Sequence, residues 1–478
     1  MKRILPAIAL HAIFIIFALW ILAIKNGFML RWYDEMSLFE PGVASLHAFL
    51  HYPGGIFRFV GTYLTQLLFY PALGASVLIL IWILCVWIAR SAFRFSGSLF
   101  PLCFLLPFCL LASVLQLDEA CLSFEAQGYV FYNTLGFTFT LTAFWLFRKA
   151  EGVIWGQTAI AVILPLLYPV AGFFAILAAV MCIIALAVKS WKKKMTMPAI
   201  VAACSLLLTF VVPRIYYRYC PGTTVDNDFL YLKGLPELTF NDFDIYLWIP
   251  LAIAAAMLIL FVVTDAFIAE VRKFTSSRLE FGLSIFLFLV AVPLCLKADE
   301  QKTEQLRASV LMTQAIEDHN WRKVVHIMSL TKESPNYTMC VLDNLARTYC
   351  GLERRPVGNM TTQGTDYRHD EDFSITAFVD VPVNHHIGRF NQSHRWATEH
   401  NVQYGSKVYF IKYIVLNALM NGDLEFARKF NRQLMATMFH KKWAEEVQRY
   451  IDDPSLISSF PDYDTLITLR AEEIMRGE

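Results

Sequence analysis

The sequence has 478 residues, of which 56% are hydrophobic and 17% are charged, and its formal net charge is +1. A soluble globular protein carries about 25% charged residues. Residues 1–296 hold 34 charged residues and residues 297–478 hold 47. This composition excludes a soluble enzyme, a disordered chain and a nucleic-acid-binding protein as descriptions of the whole chain. It predicts a transmembrane domain, residues 1–296, followed by a soluble domain, residues 297–478.

We predict an all-α fold with nine membrane spans, because a helix of about 20 apolar residues crosses the hydrocarbon core. The run 153–188 is divided into two spans, since one helix of that length would extend about 54 Å. Pro165 and Pro169 near its middle favour a hairpin. The first apolar run is interpreted as a span because no small-residue cleavage site follows it. The predicted spans are 4–24, 71–89, 99–117, 128–147, 153–168, 169–188, 198–213, 246–264 and 281–296.

The distribution of Lys and Arg orients these spans. With the N-terminus in the cytoplasm, the inner segments hold 13 basic and 4 acidic residues, and the outer loops hold 6 basic and 11 acidic residues. Cytoplasmic loops of membrane proteins are enriched in basic residues in this way. Nine spans then place the C-terminal domain outside the cytoplasm, in the periplasm if the protein lies in a bacterial inner membrane.

The predicted spans contain no Asp, Glu, Lys or Arg. Ion-coupled transporters usually carry ionisable residues at mid-membrane, so coupled transport is disfavoured, and no polar path for a flippase is evident. His11 is interpreted as a hydrogen-bonded packing residue. Chemistry is therefore expected in the outer loops, at the membrane surface.

The first outer loop carries the most informative polar motif. Residues 31–35 read Arg-Trp-Tyr-Asp-Glu and closely follow the first span. The stretch 43–50 has its apolar residues on one side, as expected of a helix lying in the membrane interface. A second such stretch, 56–70, includes Arg58 and leads into the next span.

This arrangement resembles the polytopic glycosyltransferases of the GT-C fold class, which place an acidic residue, often in an Asp-Glu pair, in the first outer loop ahead of interfacial helices. The resemblance implies that Asp34 and Glu35 act as base or metal ligand while a sugar leaves a polyprenyl phosphate carrier for an extracytoplasmic acceptor. It also implies an assisting role for Asp118 or Glu119 in the second outer loop, and a divalent cation as the candidate cofactor.

A leaving phosphate also needs a cation to hold it. The candidates on the outer surface are Arg31, Arg58, Arg214 and Arg218. The alternative interpretation is that Asp34 and Glu35 are ordinary solvated charges of an outer loop.

Two histidine-containing groups have spacings that a metal site can use. His47 and His51 stand four residues apart on one helical stretch, and the segment 369–372 (His-Asp-Glu-Asp) could act together with His385 and His386. Sequence fixes no further ligand for either group. The preferred interpretations are the polar side of an interfacial helix and solvated loop residues, and no metal site is predicted.

The C-terminal domain is predicted to be mainly helical. Helical hairpins are expected at 301–330 and 404–438, with breaks at Asn320 and Gly422. These breaks are 102 residues apart, three times 34, and Gly388 lies 34 residues before Gly422. This period resembles tetratricopeptide repeats, although their consensus is missing.

Finer expectations follow for the same domain. Asp423 is expected to cap the helix that follows it, and residues 373–383 are expected to form a strand or loop. Cys340 and Cys350 share one predicted helix too far apart for a disulfide, whereas a Cys121–Cys220 pair stays open. A non-enzymatic scaffold that binds an envelope protein through this domain is the alternative to the transferase.

The layout as a whole resembles an uncharacterised family of multi-pass membrane proteins from Gram-negative bacteria. The stretches that carry the resemblance are 52–55, 69–74, 391–397 and 401–405. It implies an inner-membrane location and assigns no activity. The transferase is preferred because it makes the more specific prediction.

Overall fold

A computed structural model describes residues 5–95, 97–117, 128–219, 230–232, 235, 245–267, 277–300, 304–355 and 379–476. Within these ranges the regular secondary structure is helical and no strand is formed. The all-α prediction is confirmed. Asp118, Glu119, Cys121, Cys220 and the segment 369–372 lie outside the described residues.

The helices of the first two-thirds follow the apolar runs. Their bounds are Leu5–Leu19, continued by a π-helix Trp20–Lys25, then Gly27–Glu35, Val43–Leu50, Gly55–Thr65, a 3₁₀ turn Gln66–Phe69, Pro71–Ala92, a 3₁₀ segment Gly97–Phe104, Leu105–Leu115, Tyr129–Lys149, Ile154–Leu166, Tyr168–Ala171, Phe173–Lys193, Thr196–Tyr219, Ile245–Phe267 and Ser277–Glu300. We call the long apolar helices among these the membrane bundle.

Eight helices in the described part of the chain are long and apolar enough to cross a membrane, in agreement with eight of the nine predicted spans. The protein is therefore a multi-pass helical membrane protein. The ninth, Ile154–Leu166, has only 13 residues, which corresponds to about 20 Å of helix and is shorter than the hydrocarbon core. A short helix, Tyr168–Ala171, extends it before Gly172 takes a positive φ of 54° and the next long helix begins.

The predicted hairpin within 153–188 is confirmed by the position of its two ends. Arg148 lies just before the hairpin and Lys189 near its end, and both line one pocket. The chain therefore runs away from that pocket and returns to it. The same pocket is also lined by Arg94 and Asp265, which lie at the ends of two other helices. Because basic residues predominate in its wall, we call this the basic end of the bundle.

At the opposite end of the bundle, which we call the junction end, a single carboxylate contacts three side chains. Asp299 is fully buried near the end of the last membrane helix. It accepts a hydrogen bond from Asn26 Nδ2 at 2.8 Å and pairs with Lys25 at 2.7 Å, at the end of the first membrane helix. Arg307 adds a third contact at 3.0 Å from the next helix along the chain. The first and last membrane helices are thus tied together here.

Aromatic packing fills the bundle interior. Gly136 faces the ring of Phe174, and a Cβ placed at Gly136 would lie 2.2 Å from that ring. Phe174 also packs edge-on against Phe57 and Phe137. A glycine is therefore required at this contact between the helices Tyr129–Lys149 and Phe173–Lys193.

His11 has the packing role that the sequence predicted for it. Its Nδ1 donates to the backbone oxygen of Ala7 at 2.7 Å, within the same helix. Its ring packs edge-on against Phe104.

The C-terminal helices, residues 304–476, lie on the junction end. Their bounds are Glu304–Glu317, Trp321–Leu330, Tyr337–Tyr349, 379–386, Phe390–Gln403, Val408–Asn421, Leu424–Met435, Lys441–Asp452, a 3₁₀ segment Pro454–Ser459 and Tyr463–Arg476. Neighbouring helices pack against each other in chain order through much of this set. Whether they form tetratricopeptide-like repeats stays a prediction.

The predicted helix breaks are confirmed. Asn320 caps the helix after it by accepting from Lys323 N, and Gly388 and Gly422 take positive φ angles at two further turns. Asp423 occupies the N-cap position but makes no capping hydrogen bond through its side chain, so that expectation is wrong. The strand or loop expected at 373–383 is wrong over 379–383, which is helical.

Candidate functional site at the junction

A cavity of about 600 Å³ lies between the junction end of the bundle and the C-terminal helices. We call it the junction cavity. Its charged side chains are Arg31, Glu35, Glu317, Asp318, Lys412, Lys442 and Glu446. Its remaining walls include four histidines and the aromatic rings of Phe69, Tyr70, Tyr413, Phe439, Trp443 and Phe460. This size and this mixture are typical of small-molecule sites.

Glu35 forms a buried ion pair in the cavity wall. It ends the helix Gly27–Glu35, and its side chain is 1% exposed. Lys412 Nζ donates to both carboxylate oxygens, at 2.7 and 2.8 Å, and contacts Glu317 at 3.4 Å. One ammonium group therefore serves two carboxylates, one from each side of the junction.

Burial and charge act in opposite directions on these three groups. Burial favours the neutral form of Glu35, but the charges of Lys412, His440 and Arg31 together with the Lys412 hydrogen bonds outweigh it, and the pKa of Glu35 lies below its ordinary value. Burial raises the pKa of Glu317 to about 7, against the opposing charge of Lys412. Burial disfavours the charged form of Lys412, yet the two carboxylates hold its pKa above the ordinary value. Glu35 and Lys412 are thus charged at neutral pH, and Glu317 is poised to exchange a proton.

Asp34 lies behind the cavity wall and is paired with a histidine. Its Oδ2 is 2.8 Å from His440 Nε2, and both side chains are 3% exposed. Burial raises the pKa of Asp34 to about 6, against the hydrogen bond and charge of His440, which lower it. His440 itself lines the cavity. Its Nδ1 makes no hydrogen bond within the part of the chain that the structure describes.

The interpretation of Asp34 and Glu35 as solvated loop charges is therefore wrong. They occupy the last turn of a helix, not a loop, and both are buried. Their basic partners lie 406 and 377 residues away in sequence, and these partners belong to the C-terminal helices and the turns between them. The pair is part of the contact between the two halves of the chain.

The four arginines predicted to bind phosphate do not lie together in the structure. Arg31 lines the cavity and pairs with Asp318 at 2.9 Å. Arg58 lies on the helix Gly55–Thr65, and it does not line the junction cavity. Arg214 and Arg218 are exposed on Thr196–Tyr219 and are also absent from the cavity wall. Of the four, the structure brings only Arg31 to Glu35.

Two histidines expected in solvated loops are buried in the cavity wall instead. His385 and His386 lie on the helical stretch 379–386 and are 1% and 6% exposed. His385 Nδ1 lies 2.8 Å from Asn417 Oδ1. Burial lowers the pKa of His385 to about 4 and places that of His386 well below the ordinary value. Both rings are therefore neutral at physiological pH.

The described residues contain no group of three or more His, Cys, Asp or Glu side chains that could hold a metal ion. The carboxylates of Asp34 and Glu35 already contact His440 and Lys412. These side chains do not fit the divalent cation that the GT-C resemblance implies.

Sequence reasoning missed His440, Lys412 and Lys442. Lys412 had a readable signal, since it is the only charged residue in the apolar helix Val408–Asn421. A lone charge on a buried helix needs a partner. His440 had none, because it follows a helix break and precedes the polar sequence of Lys441–Asp452.

Across residues 2–473 the sequence matches a family of unknown function, DUF6057, and the chain belongs to that family. No curated protein and no solved structure matches the sequence.

Proposed function

Because membership of this family assigns no activity, we propose from the site itself that the protein is a membrane-embedded transferase. It moves a sugar from a polyprenyl phosphate carrier to an acceptor hydroxyl in the junction cavity. The observation that carries the proposal is the Asp34–His440 pair, whose imidazole lines a cavity that also holds Arg31 and Lys412. Such a pairing of carboxylate, imidazole and cations is what acid–base transfer of a phosphate-linked group requires.

The position of the cavity suits a lipid-borne donor. Its wall includes Phe69 and the half-exposed Tyr70, and the next residue, Pro71, begins a membrane helix. Aromatic residues at this level are typical of the boundary between lipid and water. A polyprenyl tail stays in the bilayer here while its phosphate and sugar enter the cavity.

The chemistry divides between the two members of the pair. With Asp34 ionised, His440 Nε2 donates to the carboxylate and Nδ1 is left with a free electron pair. Nδ1 takes the proton of the acceptor hydroxyl as its oxygen forms a bond to the anomeric carbon. The bond from that carbon to the phosphate oxygen breaks, and the polyprenyl phosphate leaves with its electron pair. Arg31 and Lys442 neutralise the charge that develops on it.

This assignment moves the base from Asp34 to His440 and makes Asp34 the positioning residue. Glu35 keeps Lys412 in place through its two hydrogen bonds. Asp118 and Glu119 keep their predicted assisting role as a proposal.

The test compares His440→Gln with Lys441→Gln in the full-length chain. The introduced amide can still donate to Asp34 but cannot accept the proton, whereas Lys441 is exposed and lies outside the cavity. We expect His440→Gln to lower the glycan product at least 100-fold, with polyprenyl-phosphate sugars accumulating in lipid extracts analysed by mass spectrometry. Protein level and thermal midpoint should stay at wild-type values. Equal product from both variants refutes the proposal.

The scaffold alternative has one observation in its favour, because Glu35–Lys412 also joins the two halves of the chain. Under that function, His440→Gln lowers stability and leaves every glycan unchanged. A stoichiometric envelope protein would then co-purify with the wild type and be lost on deletion of residues 304–476.

The proposed location is the inner membrane, with the junction end in the periplasm. Arg395 at the exposed surface of the C-terminal helices and Lys192 at the basic end are suitable sites for single cysteines. In intact cells stripped of the outer membrane, we expect a membrane-impermeant maleimide to label Arg395→Cys at once and Lys192→Cys only after permeabilisation. Labelling in the reverse order would place the cavity in the cytoplasm.

A further inference from the structure

A second pocket, of about 220 Å³, lies at the basic end of the bundle, far along the helices from the junction cavity. We call it the basic pocket. It is enclosed by the ends of the helices Tyr129–Lys149, Phe173–Lys193 and Ile245–Phe267. Its cationic side chains are Arg94, Arg148, Lys189, Lys192 and Lys193, against the two carboxylates of Glu151 and Asp265. The transferase proposal uses none of them.

The two carboxylates are already engaged. Glu151 pairs with Arg94, and Asp265 pairs with Arg148 at 2.6 Å. Lys189 donates to the neutral amide oxygen of Gln157 at 2.8 Å. The charge of Lys189 is therefore not balanced by that contact, and the pocket carries an excess of positive charge.

Arg148 is a partly buried member of these cations. Its side chain is 19% exposed, and its Nε is buried with no hydrogen-bond acceptor among the described residues. A buried guanidinium N–H without a partner is costly. The negative charge of an anion in the pocket would offset part of this cost through its attraction to the guanidinium group as a whole.

Backbone strain accompanies the same cluster. Arg94 and Lys194 follow the ends of two helices with φ angles of 53° and 51°. Glycine usually occupies this left-handed position after a helix. Here two basic residues occupy it: Arg94 lines the pocket, and Lys194 directly follows Lys193 of the pocket wall.

The remainder of the pocket is apolar. Its wall consists of Phe144, Phe147, Ala185, Val188 and Val262. Trp155 and Trp191, 81% and 72% exposed, flank the same end of the bundle, as aromatic residues do at the lipid–water boundary. A charged mouth above an apolar wall at this depth matches a phosphate group with hydrocarbon below it.

We propose that the basic pocket binds the phosphate ester of an anionic ligand, in the manner of a phospholipid head group seated between membrane helices. Basic pockets between membrane helices are known to take anionic head groups. The apolar wall and the flanking tryptophans favour a lipid over a free phosphate, and the test separates the two sources.

The experiment uses the full chain purified in mild detergent and native mass spectrometry. Phosphatidylglycerol and phosphatidylcholine are added in equal amounts to the wild type and to the double variant Lys189→Gln/Lys193→Gln. The control is Arg90→Gln/Lys149→Gln, which removes two cations that lie over tryptophan rings at the same end and outside the pocket.

We expect the wild type and the control to retain phosphatidylglycerol over phosphatidylcholine by about tenfold or more, and the pocket variant to lose that preference. Displacement of the lipid by millimolar inorganic phosphate would identify free phosphate as the ligand, and resistance to it would identify the lipid. Equal retention of both lipids by the wild type, or an equal loss in the control, overturns the proposal.

Discussion

Removal of the ammonium group of Lys412 provides the sharpest test of how the two halves of the chain are held together. In Lys412→Met, Glu35 keeps its buried position, with 1% of its side chain exposed, and loses both of its hydrogen bonds. Glu317 adapts by protonation, since burial already raises its pKa to about 7. The cost therefore falls on Glu35, whose pKa Lys412 otherwise holds low in spite of burial.

Leaving one partner of a buried ion pair uncompensated costs about 3–5 kcal/mol. Because this free energy is lost from the contact between the two halves, the fraction of chains with detached C-terminal helices rises by roughly 10² to 10³ or more. The double variant Glu35→Gln/Lys412→Met removes both charges and should recover most of the loss. Asp318→Asn serves as the exposed control, because its carboxylate is 45% exposed and its pair with Arg31 contributes about 0–1 kcal/mol.

The assay is limited proteolysis of the full chain in detergent, with the intact band measured over time. When opening is fast relative to cleavage, the rate reports the population of the detached state. The rates should rank Lys412→Met far above the double variant, and Asp318→Asn near wild type. A double variant that is cleaved as fast as Lys412→Met would show that the charges are not coupled, and the account of the junction would fail.

Two further predictions use thermal unfolding. Gly136→Ala should lower the free energy of unfolding by about 1–3 kcal/mol, because the added Cβ meets the ring of Phe174. Gly282→Ala is the control, since a Cβ at Gly282 has no neighbour within 4 Å and should not lower stability. Equal thermal midpoints for the two variants would contradict this packing. The raised pKa values of Asp34 and Glu317, about 6 and about 7, mean that these two carboxyl groups bind more protons in the folded state than in the unfolded state between about pH 4 and 7. The stability that these two carboxyl groups contribute should therefore fall as pH rises through that window, by at most about 1.4 kcal/mol per pH unit for each group. The buried, neutral His385 and His386 act in the opposite direction, so the effect of Asp34 is measured as the difference in stability between wild type and Asp34→Asn. That difference should fall as pH rises, whereas the difference between wild type and Asp318→Asn should not.

Local sequence pattern predicted the membrane bundle well. Apolar runs and flanking charges located eight of the spans and the hairpin around Pro165, because both depend on short stretches of chain. The helix Ile154–Leu166 fell short of the expected length, since composition does not reveal where a hinge divides an apolar run. The side of the membrane on which each end lies stays a prediction.

The candidate site was only half predictable. Asp34, Glu35 and Arg31 stood out by their place after the first span, and the structure brings them to one cavity wall or just behind it. Their partners could not be found in the same way, because the contact between Asp34 and His440 joins residues 406 apart in sequence. Such pairings arise from tertiary packing, which leaves no local period in the sequence.

The carboxylate of Asp299 has a consequence for biosynthesis. Lys25 and Asn26 are synthesised at the start of the chain, and their shared acceptor follows 273 residues after Asn26. During insertion, the polar end of the first helix therefore lacks this carboxylate until the last membrane helix has been synthesised. Contacts of such long sequence separation form late, after the entropy of closing the intervening chain has been overcome. The contact between the first and last membrane helices is therefore available only to the complete bundle, and a chain that ends before the last membrane helix leaves the charge of Lys25 without its carboxylate.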